Sequence, residues 1–272
     1  MLKIFCINCG GKKLWKLGNG EYRCSVCKKD FKPYPVRDLR LTKREWRRLI
    51  KLFLLGVNTP VLSTELKRNP ATVGKVLKRV RLAMYRDVPR EVFTGVVEVD
   101  ETYLGGQKKN KRKEQLRKDR ETYGKESKRG FGTTKQPVFG ILARNGKVYA
   151  KLVNDTEARD LVPIITKKVE SGTRICSDTW RAYTGLATRG YVHRTVEHQK
   201  KEYTRGKNHI NGLEGFWGYL KRKLAAKGGI RRKYFYLFLG EYVWRYNYRK
   251  LTIKQKTDRL LKQIYTDFSA NY

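Results

Sequence analysis

Two Cys-x2-Cys pairs, Cys6 with Cys9 and Cys24 with Cys27, stand near the start of the chain with 14 residues between them. Four thiols at this spacing close on a tetrahedral sulfur centre, the geometry zinc prefers. Two disulfides, or four free thiols, are the other arrangements such a pattern allows. A very basic chain read as intracellular disfavours disulfides. A unit of about 30 residues buries too little apolar surface to hold itself together, so the metal has to supply its stability. Residues 1–34 are therefore expected to form a zinc ribbon plugged by Tyr22 and Phe31, a structural centre and not a chemical one. The fifth cysteine, Cys176, follows Ile175 in a strand-like run and reads as a small buried apolar side chain.

"KPYPVRDLR" follows without periodicity and reads as a linker. The next segment, 41–88, is helical in pattern. Thr42 with Glu45 three residues on is a capping box. Trp46, Leu49, Ile50, Phe53 and Leu54 recur at helical spacing until Gly56. A short helix is expected over Pro60 to Leu66. A third helix puts Val73, Val76, Leu77, Val80 and Met84 on one face and Lys75, Lys78, Arg79 and Arg81 on the other. Three helices with a basic last one suit a helix-turn-helix-like DNA-binding module; the plainer reading is a bundle with a solvated basic face. Charge favours the first. The chain carries 63 Lys and Arg against 25 Asp and Glu, a formal +38. Such an excess, spread along the whole length, implies a polyanionic partner, DNA or RNA, with a ribosomal or other RNA-associated protein the plainer alternative, and marks Lys75, Lys78 and Arg79 as phosphate contacts.

From Phe93 the pattern turns to strands. "VFTGVVEVD" is the first, and a basic surface loop is expected over Gln107 to Thr134. "QPVFGILARNGKVYAKLV" reads as a hairpin about Asn145-Gly146. "TEARDLVPIITKKVESG" is helical, with Pro163 a kink or boundary. "RICSD" is a strand ending at Asp178, with a helix after it onto which Trp180 and Tyr183 pack. "YVHRTVEH" is a strand carrying His193 and His198. "NHINGLEGFWGYLKRKLAAKGG" is a long helix stopped by Gly228-Gly229, and helices over Lys233–Arg249 and Lys254–Phe268 follow. This order predicts an α/β fold, a mixed sheet flanked by helices over 93–250, and a C-terminal helix at 251–272. The longest apolar stretches, such as Leu52–Val57, fall far short of the roughly 20 residues a membrane span needs. The N-terminus lacks the features of a signal peptide. A cytoplasmic, nucleoid-associated protein with no membrane partner is expected.

The first strand ends on carboxylates, in "VVEVDETYLGG". Asp100 closes it, Asp178 closes another, and Glu214 lies on the late helix with 35 residues between it and Asp178. In that helix Ile210, Leu213, Trp217, Leu220 and Leu224 form the sheet-facing stripe. Glu214 and Lys221 each sit one residue beyond a stripe position, two turns apart on one flank. Glu214 can thus lean over the edge where both aspartates emerge. Three carboxylates brought to one point repel unless a cation lies between them, and hard oxygen ligands select Mg²⁺ or Mn²⁺. Glu98 and Glu101 are expected as edge charges or groups supporting the acids. His209 is read as a DNA contact, an acid-orienting group or plain surface. "YFYLFLGEYVWRYNYR" is read first as core.

"VEVDETYLGG", "SDTWRAY" and "HINGLEGFWGYLKRKL" resemble the motifs of insertion-sequence transposases with an N-terminal zinc ribbon and an RNase H-like DDE catalytic domain. The resemblance covers nearly the whole chain. It implies that Asp100, Asp178 and Glu214 hold two divalent ions for cleavage and joining of phosphodiester bonds. It also implies that Lys221 contacts DNA near the cut end, and that the chain works as a homodimer or larger assembly on element ends and target DNA. Some members of this group carry Asn in place of the third acid, which keeps Asn211 as an alternative third ligand. The resulting expectation is a cut-and-paste DNA transposase. The alternatives are a catalytically inactive, domesticated DNA-binding protein and a plain metal-dependent nuclease of the same fold.

Overall fold

The computed structural model describes residues 6, 8–19, 21–31, 39, 41–88, 91–105, 112–123, 133, 135–144, 146–196 and 209–269. The chain divides into two compact units, 1–87 together with 248–272, and 88–247.

The first unit opens with a three-stranded antiparallel sheet, β1 (Leu14–Lys16), β2 (Tyr22–Cys24) and β3 (Asp30–Phe31). Cys6, Cys24 and Phe31 form its small core, with Leu14 and Tyr22 against them. Three helices follow: α1 (Lys43–Leu54), α2 (Thr59–Leu66) and α3 (Pro70–Arg86). Each starts where its sequence predicts. Thr42 and Glu45 form the capping box, and the side chains of Asn58 and Asn69 cap the other two. The stripe Trp46, Leu49, Ile50, Phe53 and Leu54 is buried, as is the apolar face of α3. Lys75 and Lys78 are exposed and Arg79 half-buried. The C-terminal helix α8 (Ile253–Ser269) packs on α1 and α3, burying Leu260, Leu261, Ile264 and Tyr265. Arg259 of α8 binds both carboxylate oxygens of Asp87 at 2.6 and 2.7 Å. The linker positions 32–38 and 40 lie outside the described residues.

The second unit is built on a five-stranded sheet in the order β6-β5-β4-β7-β8. Its strands are β4 (Val96–Leu104), β5 (Gln136–Ala143), β6 (Val148–Leu152), β7 (Arg174–Ser177) and β8 (Val192–Thr195). β5 runs antiparallel to both β4 and β6, while β7 and β8 run parallel to β4. β4 is the central strand. Its Val97 and Val99 face a core shared with Leu161 and Ile165 of α5 (Ala158–Lys168). Its Leu104 belongs to the opposite core, with α6 (Asn211–Ala225) and α7 (Phe235–Asn247). Helices thus cover both faces of a mixed sheet, the α/β layering the order of elements predicts. Among the described residues no helix is long and apolar enough to cross a membrane.

Several expectations need correction. The basic stretch 107–134 is not loop throughout, because α4 (Lys113–Tyr123) lies within it. Glu114 with Lys118 and Arg117 with Glu121 pair at i,i+4, which supports a helix without an apolar stripe. Positions 106–111, 124–132 and 134 lie outside the described residues. The expected helix between β7 and β8 is two 3-10 turns, Arg181–Tyr183 and Ala187–Arg189. Gly185 and Gly190, both at positive φ, keep the chain from propagating a helix there. Finally, Asp100 does not close the first strand, because β4 stays paired with β5 as far as Leu104; Pro163 lies within α5 and does not bound it. His193 lies on β8, while His198 and Asn145 lie outside the described residues; β5 and β6 form the expected hairpin, closed by Ala143 N–H to the Lys147 carbonyl at 2.9 Å.

Candidate active site

β7 pairs with β4 only at Val96–Glu98 and stops at Ser177. Beyond that point one edge of β4 is left open beside the end of β7, at the level of Asp100. Asp100 lies on the face of β4 covered by α6. Trp217 of α6 donates its indole N–H to Asp100 Oδ2 at 3.0 Å. Opposite Asp100 in register is Gly140 on β5. A Cβ at Gly140 would fall 2.5 Å from the Trp217 ring, so the absence of a side chain admits the indole that holds the acid. Gly140→Ala should therefore displace Trp217. An overpacking cost of about 1–3 kcal/mol is expected in a denaturant melt, with a fall in any activity that depends on Asp100.

Burial pushes the Asp100 carboxyl up to about 7. The charge of Asp178, and more weakly that of Glu214, pushes in the same direction, against the N–H groups of Glu101 and Trp217. Asp100 thus feels the charge of both other acids the sequence singled out. Asp178 follows β7, and its Oδ1 accepts the Trp180 N–H at 3.0 Å. Glu214 stands exposed on the first turn of α6, beside exposed Asn211. Lys221, also exposed, lies on the same helix. Partial burial lowers its pKa, the Asp100 charge opposes this, and Lys135 adds to the lowering. Lys221 and Lys135 thus place positive charge beside the acids.

Glu101 and Glu98 are not surface charges. Glu101 points to the opposite face of β4 and accepts from the fully buried Tyr183 hydroxyl. Burial first, then Asp100 and Asp178, push its carboxyl up to about 8, with Tyr183 opposing. Glu98 is 1% exposed and meets the start of α6. Its pKa is raised by burial, while the Leu213 N–H, His209 and Arg144 hold it down. Trp180 does pack against the core shared with α5, and its indole N–H donates to the Thr156 carbonyl at 2.8 Å. Trp217, Gly140 and Tyr183 escaped the sequence reading as site residues. Trp217 had shown itself only as a stripe position; its polar ring edge was the available signal.

The four ribbon cysteines also converge. Their sulfurs lie within 4.8 Å of one another, the one such group of metal-type ligands among the described residues. Cys6 and Cys27, and Cys9 and Cys24, are 3.5 Å apart. Cys176 is buried on β7, as its apolar surroundings imply.

The domain that carries these carboxylates is a transposase domain. More particularly, residues 92–247 match the ISXO2-like transposase domain, and the chain belongs to that family. An uncharacterized transposase-like protein of Haemophilus influenzae is 35% identical over 101 residues, covering 37% of this chain and 81% of its own. An uncharacterized protein in transposable element ISH50 of Halobacterium salinarum is 26% identical over 246 residues, covering 84% of this chain and 80% of its own. A solved pre-cleavage Mos1 transpososome matches at 12% identity over 84% of this chain and 79% of its own, with a TM-score of 0.26, too low to bear on the fold.

Proposed function

We propose that this transposase cuts and rejoins DNA by a metal-dependent DDE mechanism in which Asp100, Asp178 and Glu214 hold the divalent ions. The observation that carries the reading is the raised Asp100 carboxyl, which feels both other acids. A carboxylate on an open strand edge, within reach of the charge of two others, belongs to an oxygen donor set that suits Mg²⁺ or Mn²⁺. When bound, such ions activate a water or 3′-hydroxyl and stabilise the departing oxygen of the phosphodiester. The chain's own residues do the rest. Trp217 fixes the Asp100 carboxylate through its N–H. Lys221, with Lys135 near it, offers positive charge to a phosphate beside the acids. The ribbon and the basic face of α3, with Lys75, Lys78 and Arg79, recognise element ends. The chain acts as a homodimer or larger assembly on DNA at the nucleoid.

A labelled duplex carrying an element end tests this. Purified protein should nick it in Mg²⁺ or Mn²⁺ and join the freed end to target DNA, and a chelator should stop both steps. Binding without cleavage under every metal condition would leave the inactive DNA-binding alternative.

A pH dependence accompanies the metal. Asp100 and Glu101 keep their protons up to about 7 and about 8 in the folded, metal-free chain. The folded state thus binds these protons more tightly than the unfolded chain, whose carboxylates titrate near 4. That contribution is complete below about pH 4 and is lost as pH rises through 7 to 8. Protons and divalent ions compete for Asp100. Mn²⁺ should therefore raise the melting temperature clearly at pH 8 and little at pH 5.5. Equal shifts at both pH values would mean that the ion binds elsewhere.

A further inference from the structure

We infer that Glu98 is a positioning residue that locks the first turn of α6 onto β4 and thereby sets Glu214 against Asp100. The inference rests on the reading of Glu214 as the third acid. Glu98 precedes Asp100 by two residues and shares its face of the strand. Its Oε2 accepts the Leu213 N–H at 2.8 Å, one residue before Glu214. The Gly212 N–H points to the same carboxylate. A Cβ at Gly212 would lie 2.9 Å from Oε2, so helix and carboxylate meet with no space between them.

The start of α6 needs such a partner. The first N–H groups of a helix have no acceptor within it. Ile210 at the cap supplies no side-chain bond. Glu98 serves as the cap instead, from a strand 115 residues earlier, and its negative charge suits the positive end of the helix dipole. Two cationic-type groups lie near the carboxylate in turn, at charge-pair rather than hydrogen-bond geometry. His209 Nδ1 lies 3.3 Å and Arg144 Nε 3.7 Å from its Oε1. Arg144 also donates to the His209 carbonyl at 3.4 Å. The chain entering α6 is thus tied to β4 and to the end of β5. An apolar side chain would fill the same space without the cost of burying a charge, so stability alone does not account for a carboxylate here. Directional hold on the backbone beside Glu214 does.

The test uses the full chain and Mn²⁺ alone, with binding followed through the resonance of the free ion and, separately, cleavage followed against Mn²⁺ concentration. Glu98→Met removes the acceptor at similar volume. It should weaken Mn²⁺ binding on the order of tenfold, the usual loss when a group supporting a metal ligand is removed. Cleavage should return at high Mn²⁺. Glu98→Gln, which still accepts from Leu213, should recover most of the binding. Gly212→Ala, which separates helix and carboxylate from the other side, should reproduce the Met variant and decides the matter if the latter does not fold. Folded variants with unchanged Mn²⁺ binding, or cleavage lost equally at all Mn²⁺ concentrations, would overturn the inference. Glu214→Gln is measured beside them. If it binds Mn²⁺ and cleaves like the wild type, the assignment of the third acid fails instead.

Discussion

Asp100→Asn, Asp178→Asn and Glu214→Gln should each abolish strand cleavage and joining while DNA binding persists. Each change keeps shape and removes a charge that holds a divalent ion. Metal stabilisation of the departing and attacking oxygens contributes several kcal/mol, so a loss of at least about three orders of magnitude in rate is expected. DNA binding should hold or tighten, because each variant removes a negative charge facing phosphates. Lys221→Ala should reduce the rate less completely, since it holds no ion. Asn211→Ala is the control for the third ligand. Asn211 and Glu214 share the first turn of α6 and are both exposed, so position alone does not separate them. The Glu214 charge acts on Asp100, which favours Glu214. Full activity in Glu214→Gln with none in Asn211→Ala would transfer the role. Activity in all three acid variants would remove the DDE mechanism.

Much of this was legible in the chain because it is local. Capping residues at Thr42, Asn58 and Asn69 fix helix starts through bonds within three residues. Strand alternation fixes which side of β4 each residue faces. The stripe through Leu213, Trp217 and Leu220 fixes which flank of α6 carries Glu214. What stayed hidden depends on partners far along the sequence. Glu98 looks like any strand carboxylate until Leu213 folds onto it. Trp217 looks like core until its N–H finds Asp100, 117 residues away. Gly140 reads as a weak strand residue until the indole occupies its missing side chain. α4 was missed for another reason: its support comes from charge pairs, which an apolar period does not reveal. The packing of α8 on α1 and α3 had no local signal either, because an amphipathic helix declares a buried face but not its partner.

Stripping zinc, or changing Cys24 to Ser, should unfold the ribbon and remove selective binding to element ends, while the second unit keeps its structure. The ribbon has little else to hold it. Cys6, Cys24 and Phe31 are the buried members of its core, and two of those three are candidate ligands. Structural zinc binding is worth about 10–16 kcal/mol near neutral pH, and in so small a unit that binding energy is folding energy. The backbone is already shaped for thiolates. Asn8 N–H points to Cys6 Sγ and Val26 N–H to Cys24 Sγ, each at 3.4 Å. The Cys24 thiol is brought down to about 6, first by the Cys27 N–H, while Cys9, against the Gly11 N–H, is pushed up to about 12 by burial and the sulfurs around it, so within the cluster Cys24 gives up its proton most readily. Gly11 leaves room close to the Cys24 and Cys9 sulfurs, where a Cβ would come within 3.0 and 3.4 Å. Elemental analysis should find one zinc ion per chain. Amide spectra of the chelated protein should lose dispersion for the ribbon and keep it for β4 to β8. Binding to an element end should fall to the level of random DNA, with a weaker salt dependence because the ribbon's phosphate contacts are gone. No zinc in the purified chain, or a Cys6–Cys27 disulfide by mass spectrometry, would overturn the assignment. A chelated chain that still selects its ends would assign recognition to the helical module alone.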